Sequence, residues 1–182
     1  GGVAGTVAAI SAARQGLKTA LIHNRPSLGG PSSAECNSES DGTCINGASE
    51  YHNSNARESG ILEEMKLESM YKNAVGWEHH WSLVLREWVE NEKLISLFMN
   101  TEAYAVKMKG KKISSVKARM IDSDRNIVFS APVFIDCSGD SVIAHAAGAD
   151  FRIGREASSE FGESMAPEKA DRKTMGSSIC FR

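Results

Sequence analysis

Three of the first five residues, Gly1-Gly2-Val3-Ala4-Gly5, are glycine, and a stretch dense in alanine and other small residues runs on from them to Gly16. Glycines so placed let a backbone turn sharply off a strand, approach a diphosphate closely, and allow the next helix to lie flat on a sheet. In a G-x-G-x-x-G spacing, Gly2 and Gly5 are the second and third required glycines. The first would stand one residue ahead of Gly1, with a strand ahead of that. The sequence is therefore expected to be an internal fragment of a dinucleotide-binding domain. Val3, Val7, Ala8, Ile10, Ala12 and Ala13 predict one buried helix that ends where Gly16 supplies a left-handed C-terminal position. Residues 18–23, a short apolar run stopped by Asn24-Arg25-Pro26, read as a buried parallel strand.

Bulk properties exclude several classes of protein. Twenty-one Lys and Arg against 23 Asp and Glu leave a net charge of -2 with both signs scattered, so nucleic acid is not an expected partner. The longest apolar run, around residues 131–135, falls far short of the ~20 residues of a membrane span. A soluble, cytoplasmic protein without membrane contact is expected. Cys36, Cys44, Cys137 and Cys180 lie far apart without C-x-x-C pairing, which argues for reduced thiols and against zinc; no metal site is expected.

Residues 27–56 are rich in Gly, Ser, Asn and acidic side chains and lack periodicity. A connection this long inside a domain is expected to do something, such as cover a cofactor or substrate. Helical patterning returns over residues 58–72 and 76–91, the second carrying Trp77, Trp81, Val84, Leu85 and Trp88 on one face, a stripe read as core. His79 and His80 are adjacent, point about 100° apart and are expected to face solvent. Residues 93–99 read as a strand. Residues 101–130 read as a three-stranded antiparallel meander, with turns at Gly110-Lys111-Lys112 and at residues 122–126. Residues 132–137 form a fresh apolar run with the signature of a strand buried on both faces.

Five segments together resemble the FAD-dependent oxidoreductases with a glutathione-reductase-like FAD fold. They are Gly1-Gly2-Val3-Ala4-Gly5, Asn24-Arg25-Pro26-Ser27-Leu28-Gly29-Gly30, Arg57-Glu58-Ser59-Gly60-Ile61, Phe134-Ile135-Asp136-Cys137-Ser138-Gly139-Asp140, and Ala146-Ala147-Gly148-Ala149-Asp150-Phe151-Arg152. The resemblance implies an α/β, Rossmann-like parallel sheet with the meander inserted between two of its strands, FAD as cofactor, and a small-molecule substrate recognised largely by a further domain. It also implies a set of cofactor contacts. Gly1, Gly2, Val3, Ala4 and Gly5 would hold the diphosphate through backbone amides at a positive helix end. Gly29 and Gly30, with Ser32 and Ser33, would pass close to the cofactor, and backbone near Ala103 would meet the adenine edge. Ser138, Gly139 and Asp140 would border the cofactor past a strand's carboxyl end. The lesser alternative for these three residues is a strand-to-helix turn with Asp140 as a helix cap.

Two features depart from the pattern. The acidic residue expected at the end of the second strand, where ribose hydroxyls bind, is replaced by His23 and Asn24, with Arg25 following as a residue that would favour an added phosphate. No second G-x-G-x-x-G occurs, so no nicotinamide domain is visible. Gly42-Thr43-Cys44-Ile45-Asn46-Gly47 echoes the redox stretch of flavin disulfide reductases, but Ala48 stands near the second cysteine's place, which removes the dithiol. His52, His145 and Glu35 are candidate acids or bases, with nothing in the sequence choosing among them. Flavin-dependent hydride transfer is the leading expectation. A non-catalytic nucleotide-binding module and a tRNA-modifying flavoprotein are the alternatives, and the balanced charge argues against the latter.

Overall fold

A computed structural model of the protein describes residues 1–33, 35, 59–72 and 79–174. The Gly42–Gly47 echo, most of the expected loop over residues 27–56, Cys36, Cys44, His52, Trp77 and Cys180 lie outside them.

Helix α1, Val3–Arg14, buries Thr6, Ala9, Ile10 and Ala13, the i, i+3, i+4, i+7 set of a one-faced helix. It ends in a Schellman turn. The amide of Gly16 donates to Ala13 O and that of Leu17 to Ala12 O, with Gly16 at φ 86°. The chain then enters β1, Thr19–Ile22, which pairs in parallel with β2, Ile95–Phe98, from Thr19 opposite Ile95 to Ile22 opposite Phe98. Between these strands come α2, Gly60–Lys72, and α3, His79–Asn91. Ile10, Leu21, Leu28, Met65, Trp81, Val84, Leu85 and Val89 form one buried cluster, so α1, α2 and α3 share a core with β1. The apolar stripe of α3 is core, as its spacing predicts. Leu67 on α2 points outward, 48% exposed.

Polar contacts tie the outer rims of these helices. Arg14 pairs with Glu64 at 2.9 Å and Glu92 at 3.3 Å and lies 5.1 Å over the Trp88 ring, linking α1 to both other helices. Lys72 bridges Glu68 and Glu87 at 2.6 and 2.7 Å.

Strands β3, Thr101–Lys109, β4, Lys112–Met120, and β5, Asn126–Phe129, form a separate antiparallel sheet in that order. A register shift between Ala103 and Ala105 leaves Tyr104 as a bulge residue. The sheet is stitched to the end of β1: the amide of Thr101 donates to His23 O at 2.8 Å and that of Asn100 to Arg25 O at 3.3 Å. Phe98 and Phe129 meet edge to face at 4.8 Å, joining the two sheets. The protein is thus mixed α/β, with a small parallel sheet and a separate three-stranded antiparallel meander.

Three expectations need correcting. Residues 132–137 form no strand, and Val133 and Ile135 are 69% and 66% exposed. No strand among the described residues pairs with them, and an apolar run without a ladder partner has no reason to become a strand or to be covered. His80 is half-buried, and its Nε2 is enclosed with no hydrogen-bond partner among the described residues. Finally, Asp140 is not the cap of the short helix α4, Val142–Ala146; Asp136 is, through its carboxylate. Beyond α4, a second Schellman turn at Gly148 leads to α5, Ser158–Phe161, and to an antiparallel bridge between Arg155 and Asp171.

Candidate functional site

The start of α1 is built to be approached. Gly2 is its N-cap in extended conformation, φ -64° and ψ 173°, with no side chain bonded into the cap and no acidic residue in the first turn. The amides of the first turn have no carbonyl behind them within the helix and form its positive end. A Cβ on Gly2 would meet nothing within 4 Å, so this front is open.

A second glycine segment closes on it from the side. The amide of Gly29 donates to Gly1 O at 3.0 Å, and Gly2 and Gly29 form a parallel bridge. Gly29 has φ 117°, which glycine alone adopts without strain, and a Cβ there would lie 3.2 Å from both Ser33 N and Leu85 Cδ1. A Cβ on Gly30 would sit 3.4 Å from Gly2 Cα. These are backbone-to-backbone approaches that side chains would obstruct. A 3-10 turn over Gly30–Ser32 follows, in which the Ser32 hydroxyl donates to Gly29 O at 2.9 Å and accepts the Trp81 Nε1–H at 3.2 Å. Ser33 is buried, and its hydroxyl accepts the Glu35 amide at 3.3 Å. Glu35 is exposed.

At the end of β1 the side chains do not all face the same way. His23 is buried, 7% exposed, and its Nε2–H donates to Ser27 O at 2.8 Å, closing the bend over residues 23–27. Its ring lies where a Cβ on Gly1 would be, 2.2 Å from His23 Cγ. Burial first, then the positive amino terminus of Gly1 beside the ring and, least, Arg25, hold the imidazole below its ordinary pKa. Asn24 and Arg25 are exposed on the outside of that bend.

The other border is the corner after residues 132–137. The Asp136 carboxylate accepts the amides of Ser138 at 2.9 Å, Ile143 at 2.8 Å and Ala144 at 2.9 Å. The Ser138 hydroxyl accepts the amide of Val142 at 2.9 Å. Partial burial pushes the Asp136 carboxyl up, but these donors outweigh it and hold its pKa below the ordinary 3.8. Gly139, φ 83°, and Ser141, φ 54°, complete the turn, and Ser138, Gly139 and Asp140 are all exposed. Cys137 sets where this corner lies: its Cβ is 3.3 Å from the Cβ position of Gly5. The corner therefore abuts the first turn of α1. Ala103 lies on β3, an edge strand of its sheet, one residue before the bulge and two after Thr101, which is bonded to His23.

Of the residues singled out in the sequence, Gly1, Gly2, Val3, Ala4, Gly5, Gly29 and Gly30 come together as one cradle. Ser138, Gly139 and Asp140 border it through Cys137. His23 packs its ring against Gly1 and bonds Ser27 O, and the hydroxyls of Ser32 and Ser33 make internal hydrogen bonds. Sequence reasoning named Asp136 as part of its segment and Trp81 as core, but missed the capping role of Asp136, although Asp-x-Ser is a turn-forming pattern, and the Trp81 bond to Ser32, since an indole N–H shows no partner in sequence. Among the described residues, no group of three side chains could hold a metal ion and no helix is long and apolar enough to cross a membrane.

An open, uncapped helix end flanked by two mutually packed glycine segments suits a dinucleotide diphosphate, because main-chain amides do the binding and no side chain fills the space. The family model described as FAD dependent oxidoreductase matches residues 1–182. No curated protein matches the chain in sequence. The chain belongs to the FAD-dependent oxidoreductases; FAD is its cofactor, and a small molecule is the class of substrate the family implies.

Proposed function

We propose that this chain, as a member of the FAD-dependent oxidoreductases, holds FAD non-covalently across its front glycines and exchanges a hydride between the flavin and a small-molecule substrate. The observation that carries the reading is the Gly29 amide bonded to Gly1 O beside an open Gly2, at the N-terminus of a helix with no side-chain cap. In this reading the amides of Val3, Ala4 and Gly5 receive the diphosphate, and Gly29 and Gly30 let the backbone pass beside it. Asn24 and Arg25 lie outside the bend at the adenosine end, where the neutral Asn24 amide is suited to a ribose diol. The edge backbone at Ala103 meets the adenine. Ser138, Gly139 and Asp140 line the cofactor on the side of Gly5. The flavin supplies the redox chemistry when bound; the chain supplies orientation and a fixed electrostatic setting. Residues 27–56 serve as the cofactor and substrate loop, and substrate choice rests with a further domain.

A second reading, a nucleotide-binding module without redox activity, draws on His23, which stands where the family resemblance leads one to expect a carboxylate and whose Nε2–H is spent on Ser27 O. A visible spectrum separates the two. The purified protein is expected to be yellow and to bleach under dithionite; a colourless protein that binds ADP would favour the second reading.

A further inference from the structure

We infer that Trp81 is a positioning residue for the cofactor cradle, acting through Ser32 on the Gly29–Gly30 turn; the inference rests on the FAD-binding reading above. A continuous set of hydrogen bonds runs from α3 to the front of α1. Trp81 Nε1–H donates to Ser32 Oγ at 3.2 Å, the Ser32 hydroxyl donates to Gly29 O at 2.9 Å, and the Gly29 amide donates to Gly1 O at 3.0 Å. The polarity of the chain is forced. An indole N–H can only donate and a carbonyl can only accept, so the serine hydroxyl must accept from one and donate to the other.

The indole itself is immobilised, with Trp81 2% exposed in the common core. One helical turn further along α3, Leu85 Cδ1 lies 3.2 Å from the Cβ position of Gly29. The same face of α3 therefore hydrogen-bonds the turn through Trp81 and leaves no room for a side chain at Gly29. Gly29 needs such support: at φ 117° its backbone occupies a region with little to favour it over alternatives unless neighbours fix it. A binding site made of main-chain amides gains affinity by being fixed before the ligand arrives, and Trp81 supplies that here.

The test uses the full-length protein and FAD titrated against flavin fluorescence. Trp81→Phe keeps the ring and removes the donor; Ser32→Ala leaves the indole and breaks the relay. Each is expected to weaken FAD about fivefold, the equivalent of one neutral hydrogen bond, and the double variant no more than either alone. Trp88→Phe is the comparison: its Nε1–H donates to Glu68, away from the turn, so it should lower the denaturation midpoint yet leave FAD affinity unchanged. Additive losses in the double variant, unchanged affinity in both single variants, or an equal loss in Trp88→Phe would each overturn the positioning role while the cofactor reading stands. Should Trp81→Phe fail to fold, Ser32→Ala alone decides, by weakening FAD or not. A wild-type protein that does not bind FAD would overturn the cofactor reading and this inference with it.

Discussion

Residues 19–22 and 133–137 are both short, apolar and rich in β-branched side chains, yet they occupy opposite environments. Leu21 is 6% exposed in a paired parallel strand under α1, whereas Val133 and Ile135 are 69% and 66% exposed and belong to no strand. Composition does not separate the two runs; neighbours do. Thr19–Ile22 has β2 along one edge and α1 across one face, while residues 132–137 are anchored at their far end by the Asp136 corner and by Cys137 against Gly5. An extended backbone becomes a strand when a ladder satisfies its amides, and its side chains are buried when a second layer covers them. The site inherits this difference, for one of its borders is fixed by core packing and the other by a local network of side-chain to backbone hydrogen bonds.

That contrast can be broken by mutation. Leu21→Ala should cost about 3 kcal/mol in urea unfolding, as buried leucine truncations do, whereas Ile135→Ala should stay within about 0.5 kcal/mol. Comparable losses at the two positions would mean that residues 132–137 are covered after all. Asp136→Asn comes next, at about 2 kcal/mol, because charge-assisted acceptance of helix amides is removed. The loss should be local, read as faster hydrogen exchange at Ser138, Ile143 and Ala144 with little change in α1.

The smallest effect concerns His23. Its pKa is lowered in the folded state, so the unfolded chain takes up a proton near the ordinary 6.5 before the folded one does. Stability should therefore be intact above that pH and decline as pH falls below 6.5, and His23→Asn should flatten this part of the profile. Identical profiles for variant and wild type would show that His23 is not a linked group.

The fold of the packed half was legible because local signals agreed. The small-residue helix, Gly16 and the stripe of Trp81, Val84, Leu85 and Trp88 each pointed to the same core. The two borders of the site were read less evenly. Gly2, Gly5, Gly29 and Gly30 announced a close backbone approach, and the structure brings them together. The family pattern places His23 at the ribose end of the cofactor; what the sequence does not show is that the bend made by Asn24-Arg25-Pro26-Ser27 offers its ring the Ser27 carbonyl, and a buried imidazole takes the nearest partner. Asp140 was weighed as the cap because it directly precedes α4. Asp136 reaches the same amides from four residues earlier, since Gly139 and Ser141 turn the chain back through positive φ. Sequence distance along a turn is a poor guide to which carboxylate arrives.

Gly2 offers the most direct trial of the account. It has an ordinary φ of -64° and nothing within 4 Å of its Cβ position, so a larger side chain there disturbs neither backbone nor packing and only fills the space ahead of α1. Gly2→Val should stay folded, losing no more than the roughly 1 kcal/mol that a poorer N-cap residue costs in urea unfolding, and bind FAD roughly a hundredfold more weakly, the equivalent of about 3 kcal/mol of steric conflict. Wild-type affinity for FAD in a normally folded Gly2→Val protein would contradict the claim that the diphosphate is held at the front of this helix.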